Sequence, residues 1–133
     1  MKPDFAEPRL VLADTSAWIT YARFGDPKFD SLLRQHRVRG HAVVSGELSL
    51  GCGATAKLLA RAAAAIPQAP DVGHDAVRSL VDSGDLACRG LSWPDATLIA
   101  SALASRAAEG DACIYTHDVA LAASAKRLGV GFE

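Results

Sequence analysis

Two short unbroken apolar runs, Leu10–Ala13 and Ala112–Tyr115, stand out from a chain whose other apolar residues mostly recur at helical spacing. A run of this kind, bounded by polar residues, predicts a strand covered on both faces. The first run leads into Asp14-Thr15-Ser16, all good helix initiators, which predicts a short helix through Trp18, Ile19 and Ala22. Gly25-Asp26-Pro27 breaks it, and Phe29, Leu32 and Leu33 at i, i+3 and i+4 predict a second helix. The polar stretch Arg37–Gly40 predicts a turn and a brief strand. After the apolar Ala42–Val44, Ser45-Gly46 can start a helix carrying Glu47, Leu48 and Leu50, with Gly51 and Gly53 punctuating its end.

The alanine-rich stretch from Thr55 to Ile66 predicts a strong helix, closed by Pro67 and Pro70. Asp75–Asp82 reads as helix and Ser83-Gly84 as its stop. Ser92 opens a long amphipathic helix through Leu98, Ile99, Ala102 and Leu103. Asp118 starts the last helix, through Leu121, Ala125 and Leu128, with Gly129 at its end, and Val130–Phe132 is a candidate final strand. This order predicts an α/β fold with a short, mostly parallel central sheet flanked by helices. At 133 residues the chain is expected to form one domain, 1–133.

Hydrophobic residues make up 50% and charged residues 22%, which excludes a disordered chain. A net charge of −1 is not the balance of a protein that coats nucleic acid through bulk electrostatics. Cys52, Cys88 and Cys113 fit no zinc spacing and no disulfide framework, and are read as reduced core thiols. Lys2, Asp4 and Glu7 interrupt the amino terminus, so no signal peptide is expected, nor is any run long enough for a membrane span. The expected location is cytoplasmic.

Four carboxylates carry the candidate chemistry. Asp14 directly follows the first strand, Asp118 lies just past the second, Glu47 follows Val43-Val44, and Asp95 lies in the first turn of the long helix. Each has a structural reading: Asp14 and Asp118 as helix N-caps, Asp95 as partner of Ser92 in a capping box, Glu47 as a solvated helix residue. Together they sit at element ends, and a parallel sheet gathers such ends along one crevice. Acids so gathered repel one another unless a divalent cation lies among them. Oxygen-only donors suit Mg²⁺ or Mn²⁺ rather than zinc. A metal held this way activates water and offsets phosphate charge, pointing to phosphodiester cleavage.

The segments Val11–Ile19, Val43–Gly51, Gly90–Ser101, Tyr115–Asp118 and Ala125–Val130 occur in an order that resembles PIN-domain ribonucleases, most closely the VapC toxins of bacterial type II toxin–antitoxin pairs. The resemblance implies a PIN-like three-layer fold. It implies a Mg²⁺ or Mn²⁺ site made of Asp14, Glu47, Asp95 and Asp118, with Thr15, Ser16 and Thr116 orienting the ligands. It further implies endonucleolytic cleavage of RNA, often tRNA or rRNA, a cognate VapB-like antitoxin and a homodimer. Two departures are Val119, where relatives often carry a basic residue, and Pro94 before the third acid.

For contact with substrate or partner the candidates are Tyr21, Phe24, Arg34, Lys57 and Arg61, whereas Trp18 is expected in the core. His36, His41 and His74 are read as structural or exposed, and His117 is given no catalytic part. The alternative to an enzyme is an acidic socket that binds an Arg-rich partner peptide without catalysis. A phosphatase built on an Asp nucleophile is weaker, because the position two residues after Asp14 holds Ser16.

Overall fold

The computed structural model describes residues 9–132, so the reading of a missing signal peptide, which rests on Lys2, Asp4 and Glu7, lies outside the described residues. Both predicted runs are strands, β1 Leu10–Ala13 and β3 Ala112–Tyr115. A two-residue strand, β2 Val38–Arg39, completes a parallel sheet of order β2-β1-β3. Leu12 lies beside Arg39 on one side and Ile114 on the other. Every residue of β3, and Val11 to Ala13 of β1, is buried, as expected of strands covered on both faces. The fold is therefore α/β, a three-stranded parallel sheet flanked by helices.

Helices α1 Thr15–Phe24 and α2 Pro27–Arg34 connect β1 to β2. Gly25, at φ +76°, ends the first, and Asp26 with Pro27 starts the second. Phe29 joins these helices to the sheet: its fully buried ring lies edge-on to Trp18 and Tyr21 and stacks on Tyr115 at 5.5 Å. Trp18 is in the core, as expected.

Between β2 and β3 run α3 Ala42–Ser49, α4 Gly53–Ala65, α5 His74–Ser83 and α6 Trp93–Glu109. The third of the predicted helices begins earlier than Ser45-Gly46 suggests. His41 is its cap: the ring Nδ1 accepts the Val43 N–H at 3.1 Å, a role that the usual Ser, Thr, Asp and Asn signals do not reveal. The last helix is α7 Val119–Arg127. The candidate strand Val130–Phe132 forms only a single bridge, Gly131 to Ile114. Gly131 lies against the Lys126 backbone, which holds this segment to α7 instead of letting it run along β3.

The cysteine reading needs correction. All three thiols are free, but only Cys113 is buried, and burial pushes its pKa up to about 11. Cys52 caps α4, and Cys88 lies in a loop at φ +63°, so both are exposed. Among the described residues no helix is long and apolar enough to cross a membrane.

Gly40 ends β2 where the chain passes close to the Ala63 carbonyl and the Gln68 side chain, with its N–H donating to Pro67 O at 2.9 Å. A Cβ there would collide with the Ala63 backbone. Gly40→Ala is expected to lower stability by about 1–3 kcal/mol, read as a fall in the urea midpoint at unchanged slope.

A candidate acidic active site

Parallel pairing sets Ala13 opposite Tyr115, so the next residues, Asp14 and Thr116, emerge side by side at the carboxyl edge of the sheet. Asp14 is only 5% exposed. Both its carboxylate oxygens are occupied: Oδ1 accepts from Ser16 Oγ at 2.8 Å and the Ala17 N–H at 3.0 Å, and Oδ2 accepts from Thr116 Oγ at 2.6 Å. Each hydroxyl spends its one proton on the carboxylate, which leaves the 3.2 Å approach of Ser16 to Thr116 without a proton between them. Ser16 Oγ then accepts the His117 N–H and Thr116 Oγ the Asp118 N–H, so the two hydroxyls also fix the turn after β3.

The other acids surround this pair from three helices. Asp118 caps α7, its Oδ1 accepting the Leu121 N–H at 2.9 Å. Asp95 completes a capping box, its Oδ2 accepting the Ser92 N–H at 3.0 Å, while its charge acts on Asp14. Glu47 on α3 is tied to the site through Thr15, whose hydroxyl donates to Oε1 at 2.6 Å. The structural readings of Asp14, Asp95 and Asp118 are thus correct as geometry. They leave an oxygen of Glu47, Asp95 and Asp118 with no hydrogen bond among the described residues.

Burial raises the pKa of Asp14, the hydrogen bonds from Thr116, Ser16 and Ala17 pull it back, and Asp95 adds to the rise. Among the described residues no basic side chain pairs with any of the four acids. The donor set is oxygen-only and lacks a counter-cation, which fits a hard divalent ion. As the side chains lie, no three of the described His, Cys, Asp or Glu residues converge closely enough to enclose one. Mg²⁺ keeps several waters and needs only one or two carboxylates, so the residues fit such an ion chemically without forming a closed cage.

Helix starts add to the field. The chain enters α1, α3 and α7 directly from the carboxyl ends of β1, β2 and β3, so their positive dipole ends face this edge. They favour the anionic carboxylates, and would favour phosphate.

Among the described residues none of the proposed contact residues bonds to the four acids. Tyr21 donates to Asp30 at 2.7 Å, and Arg34 pairs with the same carboxylate at 2.7 Å. Phe24 is 80% exposed at the end of α1. Lys57 and Arg61 lie one turn apart on the exposed surface of α4. Asp26 is a carboxylate that the sequence marks only as part of a helix break. It accepts from Tyr115 Oη at 2.6 Å and lies 3.3 Å from His117 Nε2. Burial pushes its carboxyl up, but the bonds from Tyr115, Phe29 and His117 outweigh that and hold it below the ordinary value. Asp-Pro after Gly was its signal, a cap with proline at the first helical position.

Over 121 residues the chain is 35% identical to Ribonuclease VapC32 of Mycobacterium tuberculosis, in each of two strains. The match covers 91% of this chain and 94% of that relative. No protein-family profile matches.

A raised carboxyl pKa means that ionised Asp14 opposes folding, a cost present above its folded pKa and relieved as pH falls through it. Asn can accept from Ser16 and Ala17, and its amide can donate to Thr116. Asp14→Asn is therefore expected to raise the thermal midpoint in metal-free buffer at pH 7, with the gain shrinking as pH falls. A midpoint lowered at every pH would show that Asp14 is not strained by its burial.

Proposed function

Because the chain belongs to the VapC family of ribonucleases, we propose that it is a metal-dependent endoribonuclease and the toxin of a toxin–antitoxin pair. The observation that carries this is the buried Asp14 at the sheet edge, held by two hydroxyls, within the field of a second acid and paired with no basic side chain among the described residues. In this reading Asp14, Asp95, Asp118 and Glu47 form the site, and residues 1–133 make one PIN domain. The cation is Mg²⁺ or Mn²⁺, the setting cytoplasmic, and the partners are RNA, a VapB-like antitoxin and a second copy of the chain. tRNA or rRNA is the RNA class we favour.

The residues divide the work. When bound, the metal supplies Lewis acidity and a water of lowered pKa. Ser16 and Thr116 hold Asp14 in one rotamer by donating to opposite oxygens, so its lone pairs are aimed before any ligand arrives. Thr15 fixes Glu47 through one oxygen and leaves the other to accept a proton from, or orient, an attacking water. The helix starts at the sheet edge stabilise charge that develops on phosphate oxygens. Hydrolysis by water rather than by the RNA 2′-hydroxyl leaves a 5′-phosphate and a 3′-hydroxyl.

The test is incubation of purified protein with single-stranded RNA and Mg²⁺ or Mn²⁺, with and without EDTA. Discrete products ending in 5′-phosphate are expected, abolished by EDTA. Asp14→Asn and Asp95→Asn should each lower the rate by about 10³-fold or more, since removing one group that stabilises transition-state charge costs about 10²–10³ and these acids also hold the ion. Metal-dependent cleavage by Asp14→Asn at the unmodified rate would overturn the reading. RNA left intact by the unaltered protein, with retained binding of an Arg-rich peptide, would favour the non-catalytic socket.

A further inference from the structure

We propose that the cleft between α3, α5 and α6 holds one unpaired nucleobase of the RNA strand, a base whose edge offers an amino group to Asp71. The inference rests on the ribonuclease reading and concerns how the same edge of the sheet selects its strand.

The cleft encloses about 340 Å³ and is walled by Val43, Val72, Val77, Trp93, His74 and Asp71. That is the lower end of the ~300–1,000 Å³ typical of small-ligand pockets, enough for a ring system with part of its sugar. Trp93 is 41% exposed and stacks nearly parallel to His74, with centroids 5.7 Å apart. An exposed, pre-stacked aromatic pair is the surface on which single-stranded nucleic acid stacks its bases.

Asp71 lines the cleft, and the buried His41 approaches it from outside the lining. His41 is 1% exposed. Its Nδ1 accepts the Val43 N–H and so carries no proton, while burial holds the ring neutral, which puts the ring proton on Nε2. That buried N–H faces the Pro70 backbone, whose contact works against the effect of burial without reaching full hydrogen-bond geometry. It points toward Asp71 Oδ1 at 3.7 Å, too far for a bond. Asp71 itself is exposed and accepts no hydrogen bond among the described residues. A carboxylate acceptor beside an aromatic platform matches a base edge that carries an amino group. A carboxylate there favours guanine, cytosine or adenine, which carry amino groups, over uracil.

Position ties the cleft to the acids. β2 runs parallel to β1 with Leu12 beside Arg39, and just beyond that pair the two chains turn into α1 and α3. The Ala42 and Val43 wall of the cleft therefore begins at the same carboxyl edge of the sheet as Asp14. The walls continue the connection on α3, where Val43 precedes Glu47 by one turn and so shares its face, whereas Trp93 and Asp95, two residues apart on α6, point to different sides of that helix. A strand whose base enters the cleft lays its backbone toward the carboxylates.

The experiment uses the full chain in EDTA, where no cleavage occurs, and four fluorescently labelled single-stranded pentaribonucleotides, each carrying one of the four bases at its centre. Fluorescence anisotropy should show tighter binding for guanine, cytosine or adenine than for uracil. Trp93→Ala should weaken binding by about 5- to 150-fold, the range set by the stacking of one base, and Trp93→Phe should restore most of it. Asp71→Ala, a change at an exposed side chain that leaves the core intact, should retain binding but lose the preference against uracil. Equal affinity for Trp93→Ala and unaltered protein, an unchanged base preference in Asp71→Ala, or no binding of any oligonucleotide would each overturn the proposal. So would a Trp93 surface covered by a second copy, seen as affinity that falls as the protein self-associates. Adding Mg²⁺ to the same preparation and following cleavage shows whether the ribonuclease reading stands when the base pocket does not.

Discussion

Parallel pairing of β1 with β3 sets Ala13 beside Tyr115, which forces Asp14 and Thr116 into contact at the sheet edge. Much else in the site follows from that contact. A buried carboxylate that feels the charge of another acid, with no basic partner among the described residues, is an electrostatic liability that a fold tolerates only for a reason. Hydroxyls from Ser16 and Thr116 supply hydrogen bonds but no positive charge, so they fix the position of Asp14 without neutralising it. Replacing them with a lysine or arginine would satisfy stability better and would fill the space a cation needs. The arrangement thus holds charge in readiness, with the strain located at the one acid that the sheet itself immobilises.

The remaining acids are held more loosely, and by the same devices that begin helices. Asp95 and Asp118 each commit one oxygen to a cap, and Glu47 commits one to Thr15. A cap bond of this kind is worth about 0.5–2 kcal/mol. Such a bond is strong enough to bias a rotamer and weak enough to exchange against a cation. Capping and ligation are therefore not rival explanations of these residues. A helix start at a sheet edge needs an acceptor, an acid is a good acceptor, and an acid there also faces the crevice.

This double role explains what was legible in the sequence. The apolar runs Leu10–Ala13 and Ala112–Tyr115 announced the buried strands, because continuous burial on both faces leaves no other local reading. Ser92-Trp93-Pro94-Asp95 announced its capping box, because that motif is local. What depends on tertiary contact was not legible. His41 as the cap of α3 breaks the usual residue preference, and Asp26 gains its meaning from Tyr115 and His117, which only the folded chain brings near. The exposure of Cys52 and Cys88 is likewise set by a helix start and a left-handed loop position, not by the apolar character of the side chain.

Taken singly, His41 is a buried helix cap, His74 an exposed ring, and Trp93 a half-exposed aromatic at a helix start. Their combination is what changes the reading. His41 starts α3 just past β2 as Asp14 starts α1 just past β1, and His74 stacks on Trp93 from α5. The fold thereby couples two tasks at one edge through rigid elements: carboxylates at the ends of β1 and β3, and an aromatic cleft at the end of β2. A substrate aligned by both is positioned by strand register and helix starts rather than by mobile loops. Base contact and backbone contact would then be fixed relative to each other by the hydrogen-bond ladder of the sheet.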